Sequence, residues 1–340
     1  MESVITHISS TMSALIREFK AYFFKHSTII IDATEQRTQR PGDVDYQKLI
    51  NPGDAYNRFI TGLDAMDALL QSNNMTRSLN LADLTSAYKE RKPTVIQSVE
   101  GGHFLEGQLE RLGIAYSRGL RHLGLLHDND ASTPLGDVFT NPVQWGGLTA
   151  FGADVIRECN SMGILVDLSH GNNDMVNAAL KVATKPVLVS HTGLDTQLGQ
   201  NPFMAKMMKP RLISKEQAKI VADAGGVIGV WTHLADTPLE FAQNIRAMVD
   251  VVGTDHVCIG TDTKLTPSYR SPNDTWGKPD GNAPKPGGDN KEKQDKPKPD
   301  SKNNPKEAQD GPRPGERTNF AWAGQKEGFY PVVVDALLKT

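Results

Sequence analysis

Residues 163–191 read GILVDLSHGNNDMVNAALKVATKPVLVSH. Two short apolar runs, Gly163-Ile-Leu-Val-Asp-Leu-Ser169 and Pro186-Val-Leu-Val-Ser190, flank a segment with helical periodicity at about 173–182. Both runs have strand length and both lead into a histidine, His170 and His191. Strand, helix and strand in this order form a βα unit, which predicts parallel pairing. Parallel neighbours stand ~4.8 Å apart, so histidines at equivalent strand ends can reach one ion.

The same rhythm extends in both directions. Strand-like runs occur at 94–99, 122–126, 227–231 and 257–261, separated by helical patterns at about 105–119, 150–161, 214–224 and 239–252. Upstream, a β-branched run at 27–31 reads as a strand, and residues 3–7 supply a further one. Amphipathic spacing predicts helices over 11–24, 54–70 and 81–92, a polar loop over 33–53, and a final helix over 330–338. Eight parallel strands with helices outside make a single (β/α)8 TIM-type barrel over residues 1–340, its first strand incomplete. An open doubly wound sheet is the alternative fold. No glycine fingerprint for a dinucleotide follows any strand. Residues 267–316 break the pattern with Pro, Gly, Lys, Asp and Asn, as in Pro284-Lys-Pro-Gly-Gly-Asp289. Such a composition cannot bury enough apolar area to fold, so this stretch is expected to be a disordered insertion.

With 340 residues and a net charge of −3, the chain has no basic excess for nucleic acid or an anionic membrane. No apolar run approaches the ~20 residues of a membrane span. Met1–His7 lacks a basic region followed by an apolar core, so no signal peptide is expected. The default compartment is cytoplasmic, with export if the N-terminus is incomplete. The two cysteines, Cys159 and Cys258, fall in a helical and a strand-like run and read as reduced core thiols.

Glu100 follows the 94–99 run and precedes Gly101-Gly102. With His170 and His191 it makes a two-histidine, one-carboxylate set that leaves a fourth position for water, as in catalytic zinc sites. That points to a metal-dependent hydrolase. Asp262 ends the run His256-Val-Cys-Ile-Gly-Thr261 and is the candidate proton shuttle. His127, after Leu123-Gly-Leu-Leu126, can polarise a carbonyl or steady an oxyanion. Arg211 has the planar fork that holds a carboxylate. His103 and His122 read as second-layer or core residues; His26, His233, His256, Trp145 and Trp231 read as structural.

The stretches Val99-Glu-Gly-Gly-His103, Gly119-Leu-Arg-His-Leu-Gly-Leu-Leu-His127, Val166-Asp-Leu-Ser-His170, Leu188-Val-Ser-His191, Arg211 and His256–Asp262 together resemble the membrane dipeptidase (renal-type dipeptidase) family of the amidohydrolase superfamily. The resemblance implies a barrel with two zinc ions, bridged by Glu100, the second held by His170 and His191. It further implies that His127 and Arg211 contact substrate and that Asp262 handles the proton. The substrates would be dipeptides, including those with a C-terminal D-residue, and the assembly a homodimer. The family's first strand ends in His-x-Asp, and no His-x-Asp occurs here. The resulting expectation is a metallo-dipeptidase with an incomplete ligand set and doubtful activity. The alternative is a catalytically impaired dipeptidase-like protein.

Overall fold

The computed structural model describes residues 29–35, 51–127, 134–262, 322 and 329–340. The expected strand at 3–7, the helix at 11–24 and the insertion at 267–316 lie outside the described residues. One parallel sheet runs in the order β1 (Ile29–Glu35), β3 (Thr94–Glu100), β4 (Leu120–Gly124), β5 (Leu165–Asp167), β6 (Leu188–Thr192), β7 (Val227–Val230) and β8 (Val257–Ile259). A two-residue strand, β2 (Thr76–Arg77), pairs with the start of β3. Among the described residues no pairing joins β8 back to β1. The sheet is therefore an open half-barrel flanked by helices, an incomplete TIM-type barrel rather than a closed one.

Several helices start where a side chain caps them. The Thr149 hydroxyl accepts from Gly152 N at the start of α4 (Ala150–Met162), and Asn172 Oδ1 accepts from Met175 N at the start of α5 (Asn173–Val182). Ser214 and Thr237 do the same for α7 (Lys215–Asp223) and α8 (Pro238–Val252). α1 (Asp54–Ser72), α2 (Leu81–Glu90) and α9 (Phe329–Leu337) match the sequence reading closely. One core joins Val155, Ile156 and Cys159 of α4 and Met175 and Ala179 of α5 to Val166, Val189 and Ile228 of the sheet. Among the described residues no helix is long and apolar enough to cross a membrane.

Three local expectations are corrected. The helix expected at 105–119 is a 3-10 turn (Gly102–Leu105) and a short α3 (Arg111–Ser117). Glu106 and Gly107 between them have φ of 44° and 78°, which no right-handed helix tolerates. β4 begins two residues earlier than expected, at Leu120, and β1 continues to Glu35 into the expected loop. α6 (Pro202–Met208) was not anticipated, because its methionines show no clear apolar period; Asn201 Oδ1 caps it by accepting from Phe203 N and Met204 N.

β6 carries a register shift between Val189 and Thr192. It pushes the Ser190 carbonyl towards β7 and β8, where Gly229 and Gly260 receive it: a Cβ on either would overlap that oxygen. Only glycine permits this approach. Gly229→Ala is expected to destabilise the fold by about 2–4 kcal/mol, read as a lower urea midpoint. An unchanged midpoint would mean that the bulge relaxes at no cost.

Candidate metal centre

Glu100 ends β3, His191 lies in the β6 bulge, and His170 sits three residues past β5. His170 has φ 69°, a left-handed backbone rare for a non-glycine residue. His170 Nε2 is 2.9 Å from Glu100 Oε1 and 3.0 Å from His191 Nε2, and His191 Nε2 is 3.5 Å from Glu100 Oε1. Ligands ~2.0–2.1 Å from a tetrahedral zinc stand roughly 3.3 Å apart. The three separations bracket that value, so the donor set fits such an ion. All three side chains are largely buried, with exposures of 16%, 8% and 10% for Glu100, His170 and His191. Burial works against ionisation of Glu100, but the hydrogen bond from His170 and the charges of His191, His170 and His127 hold its pKa below the ordinary range. A bound cation would take over that role.

The expectation of an incomplete ligand set is thereby corrected. The potential ligand atoms of Glu100, His170 and His191 all lie within 4.8 Å of one another. Three protein ligands and one open position are already a whole catalytic zinc set. The absence of His-x-Asp does not leave the centre short of ligands.

Aromatic rings wall the centre. The His127 ring lies 4.7 Å from that of His170, and its Nε2 is 3.9 Å from Glu100 Oε2. Phe139 stacks on His170 at 5.5 Å, and Trp231 on His191 at 6.3 Å. The Phe139 loop is fastened by Asp137, whose carboxylate accepts from the backbone N–H of Gln144, Trp145 and Gly147. Burial opposes the charge on Asp137, but these bonds keep its pKa low. Arg211 ends a 3-10 turn (Lys209–Arg211), and its guanidinium carbon stands over the Phe139 ring, 6.0 Å from its centroid. Thr192 Oγ1 donates to the Arg211 carbonyl at 2.8 Å and so couples this turn to β6.

Asp262 has φ 51° and accepts from His233 Nε2 at 2.8 Å. Partial desolvation resists its ionisation, yet the charge of His191 and the His233 hydrogen bond bring its pKa down to about 2. His233, expected to be structural, lies against Asp262. Its position two residues after Trp231 carried no pattern that marked it. His122, expected in a second layer or the core, donates through Nε2 to Asp167 Oδ2 at 3.2 Å. His256 is structural, with Nδ1 2.8 Å from the Gly226 carbonyl.

His103 is buried behind Gly101, which has φ 87°; a Cβ there would lie 2.8 Å from His103 Nε2. That nitrogen has no hydrogen-bond partner among the described residues. Burial, helped by the charges of His127 and His170, pushes the His103 pKa down to about 4 from 6.5. Between those values the unfolded chain binds a proton and the folded chain does not, so stability falls as pH drops from 6.5 towards 4. Metal-free protein is expected to lose about 3 kcal/mol over this window, and His103→Gln to flatten that dependence in pH-resolved urea titrations. Parallel profiles for both proteins would contradict this.

The sequence matches the family described as membrane dipeptidase, peptidase family M19, over residues 27–269. The chain belongs to this family. As an M19 chain it has relatives that differ widely in extent. It is 25% identical over 227 residues to an uncharacterized protein in the pqqA 5' region of Klebsiella pneumoniae, covering 62% of this chain and 80% of that protein. It is 27% identical over 184 residues to Dipeptidase 3 of Mus musculus, covering 50% of this chain but only 35% of the mouse protein. In fold it resembles an amidohydrolase from Pseudomonas aeruginosa with a TM-score of 0.55 at 23% identity, covering 61% of this chain and 62% of that one. The probable dipeptidase PvdM from the same organism gives a TM-score of 0.54 at 16% identity, covering 62% and 68%. The M19 membership and the Glu100–His170–His191 set together support a metal-dependent hydrolase.

Proposed function

We propose that this M19 chain hydrolyses dipeptides at a zinc centre held by Glu100, His170 and His191. The observation that carries the reading is the set of ligand-to-ligand separations, 2.9, 3.0 and 3.5 Å. When bound, zinc would polarise the scissile carbonyl and lower the pKa of water. One ion is accounted for by the triad; the second ion implied by the family resemblance would have to share Glu100.

The remaining roles follow from chemistry and position. Asp262, ionised at neutral pH, takes the proton from the attacking water and delivers it to the leaving nitrogen. His233 holds the receiving carboxylate in place. His127 flanks Glu100 and donates to the carbonyl oxygen as negative charge develops there. Arg211 pairs with the C-terminal carboxylate of the substrate, and Phe139 spans the gap between that anchor and His170. A fixed carboxylate anchor so near the reacting bond restricts the enzyme to short peptides.

The test is hydrolysis of L,L- and L,D-dipeptides by the full chain before and after chelation, with His191→Ala as control. Turnover should vanish on chelation, return on adding zinc, and stay absent in His191→Ala. Equal turnover by the stripped and loaded protein would contradict the reading.

A further inference from the structure

We propose that Asp167, Ser169 and Ser190 form a one-way chain of hydrogen bonds that fixes the tautomer of His191 and aims its Nε2 lone pair at the metal position. The proposal rests on the metal reading above and concerns how the protein prepares one ligand before any ion arrives.

The polarity follows from counting protons. Asp167 is buried, and its Oδ1 accepts from Ser169 N at 3.0 Å, Ser190 N at 3.0 Å and Ser169 Oγ at 2.8 Å. An ionised carboxylate only accepts, so the single hydroxyl proton of Ser169 is committed to it. Ser169 Oγ and Ser190 Oγ are 3.1 Å apart, so Ser190 must be the donor in that bond. The Ser190 proton is then committed as well. Ser190 Oγ also lies 2.8 Å from His191 Nδ1, and this contact can be a hydrogen bond only if Nδ1 carries a proton. The neutral ring then has a bare Nε2, the atom that faces Glu100 and His170.

Two further features support the same arrangement. Burial resists the charge on Asp167, but the hydrogen bond and charge of His122 hold its pKa low, so the chain ends on an acceptor. The Ser190–His191 bulge that brings the hydroxyl under the ring exists because Gly229 and Gly260 make room for the Ser190 carbonyl. A metal-bound imidazole whose other nitrogen donates to a fixed acceptor is more basic and better oriented. Here the carboxylate acts through two serines rather than directly.

The experiment compares full-length wild type, Ser190→Ala, Ser190→Thr and Ser169→Ala. Zinc affinity is read by competition with a chromophoric chelator, and the His191 tautomer by nitrogen NMR of histidine-labelled, metal-free protein. Wild type should show the Nδ1–H tautomer. Ser190→Ala and Ser169→Ala should bind zinc about 10–100-fold more weakly, with Nε2–H populated, and Ser190→Thr should restore both. Ser169→Ala keeps the test open if Ser190→Ala fails to fold. Wild type that binds zinc alongside alanine variants of unchanged affinity and tautomer would overturn the proposal alone. Wild type that binds no zinc would overturn the metal reading and the proposal with it.

Discussion

Asp262→Asn is expected to lower kcat/KM for dipeptides by about 10²–10⁴-fold while zinc content stays at the wild-type level. The substitution keeps the shape of the side chain and its contact with His233, 2.8 Å away in the native protein. It removes the charge and the ability to take a proton. Burial resists ionisation of Asp262, but the neighbouring imidazoles and the His233 bond lower its pKa, so the carboxylate is charged and able to take a proton at neutral pH. The deficit should lie in kcat rather than KM, because the carboxylate anchor on Arg211 is untouched. A fall in KM-dependent terms alone, or a variant as fast as wild type, would remove Asp262 from the chemistry.

Glu100→Ala should be as damaging as His191→Ala: loss of bound zinc and turnover down by about a thousandfold or more. Glu100 is the only carboxylate in the triad and lies within 3.5 Å of both imidazoles. Two neutral histidines with no anionic partner form a poor zinc site, and the metal supplies the Lewis acidity on which the reaction depends. Metal analysis after dialysis, with single-turnover kinetics, reads both outcomes. Full zinc occupancy in Glu100→Ala would show that the ion is held elsewhere.

Much of this is legible in the sequence. The repetition of Ser-His at the ends of two apolar runs marked the β5 and β6 ends, because a buried parallel strand must be short and apolar and its rim residues need not be. Glu100, followed by two glycines, is legible only together with the two histidines whose set it completes. What escaped was set by contacts between distant segments. His233 sits in a loop with no period, and its meaning comes only from Asp262, 29 residues away. Asp167 stands as one polar residue in an apolar run, and its bond to Ser190 depends on a bulge that no period of two can reveal. The break at Glu106 and Gly107 was likewise hidden, since a left-handed glutamate leaves no mark in an amphipathic pattern. The His-x-Asp argument failed for a related reason. A missing motif says nothing about whether three other residues converge, and here they do.

The central claim is that one carboxylate and two imidazoles hold a common cation. X-ray absorption spectroscopy at the zinc edge of the loaded full-length protein tests it most directly. The expected result is a first shell of nitrogen and oxygen at about 2.0–2.1 Å with the multiple scattering of two imidazoles, reduced to one in His191→Ala. A spectrum with no imidazole contribution, or one unchanged in His191→Ala, would contradict the account.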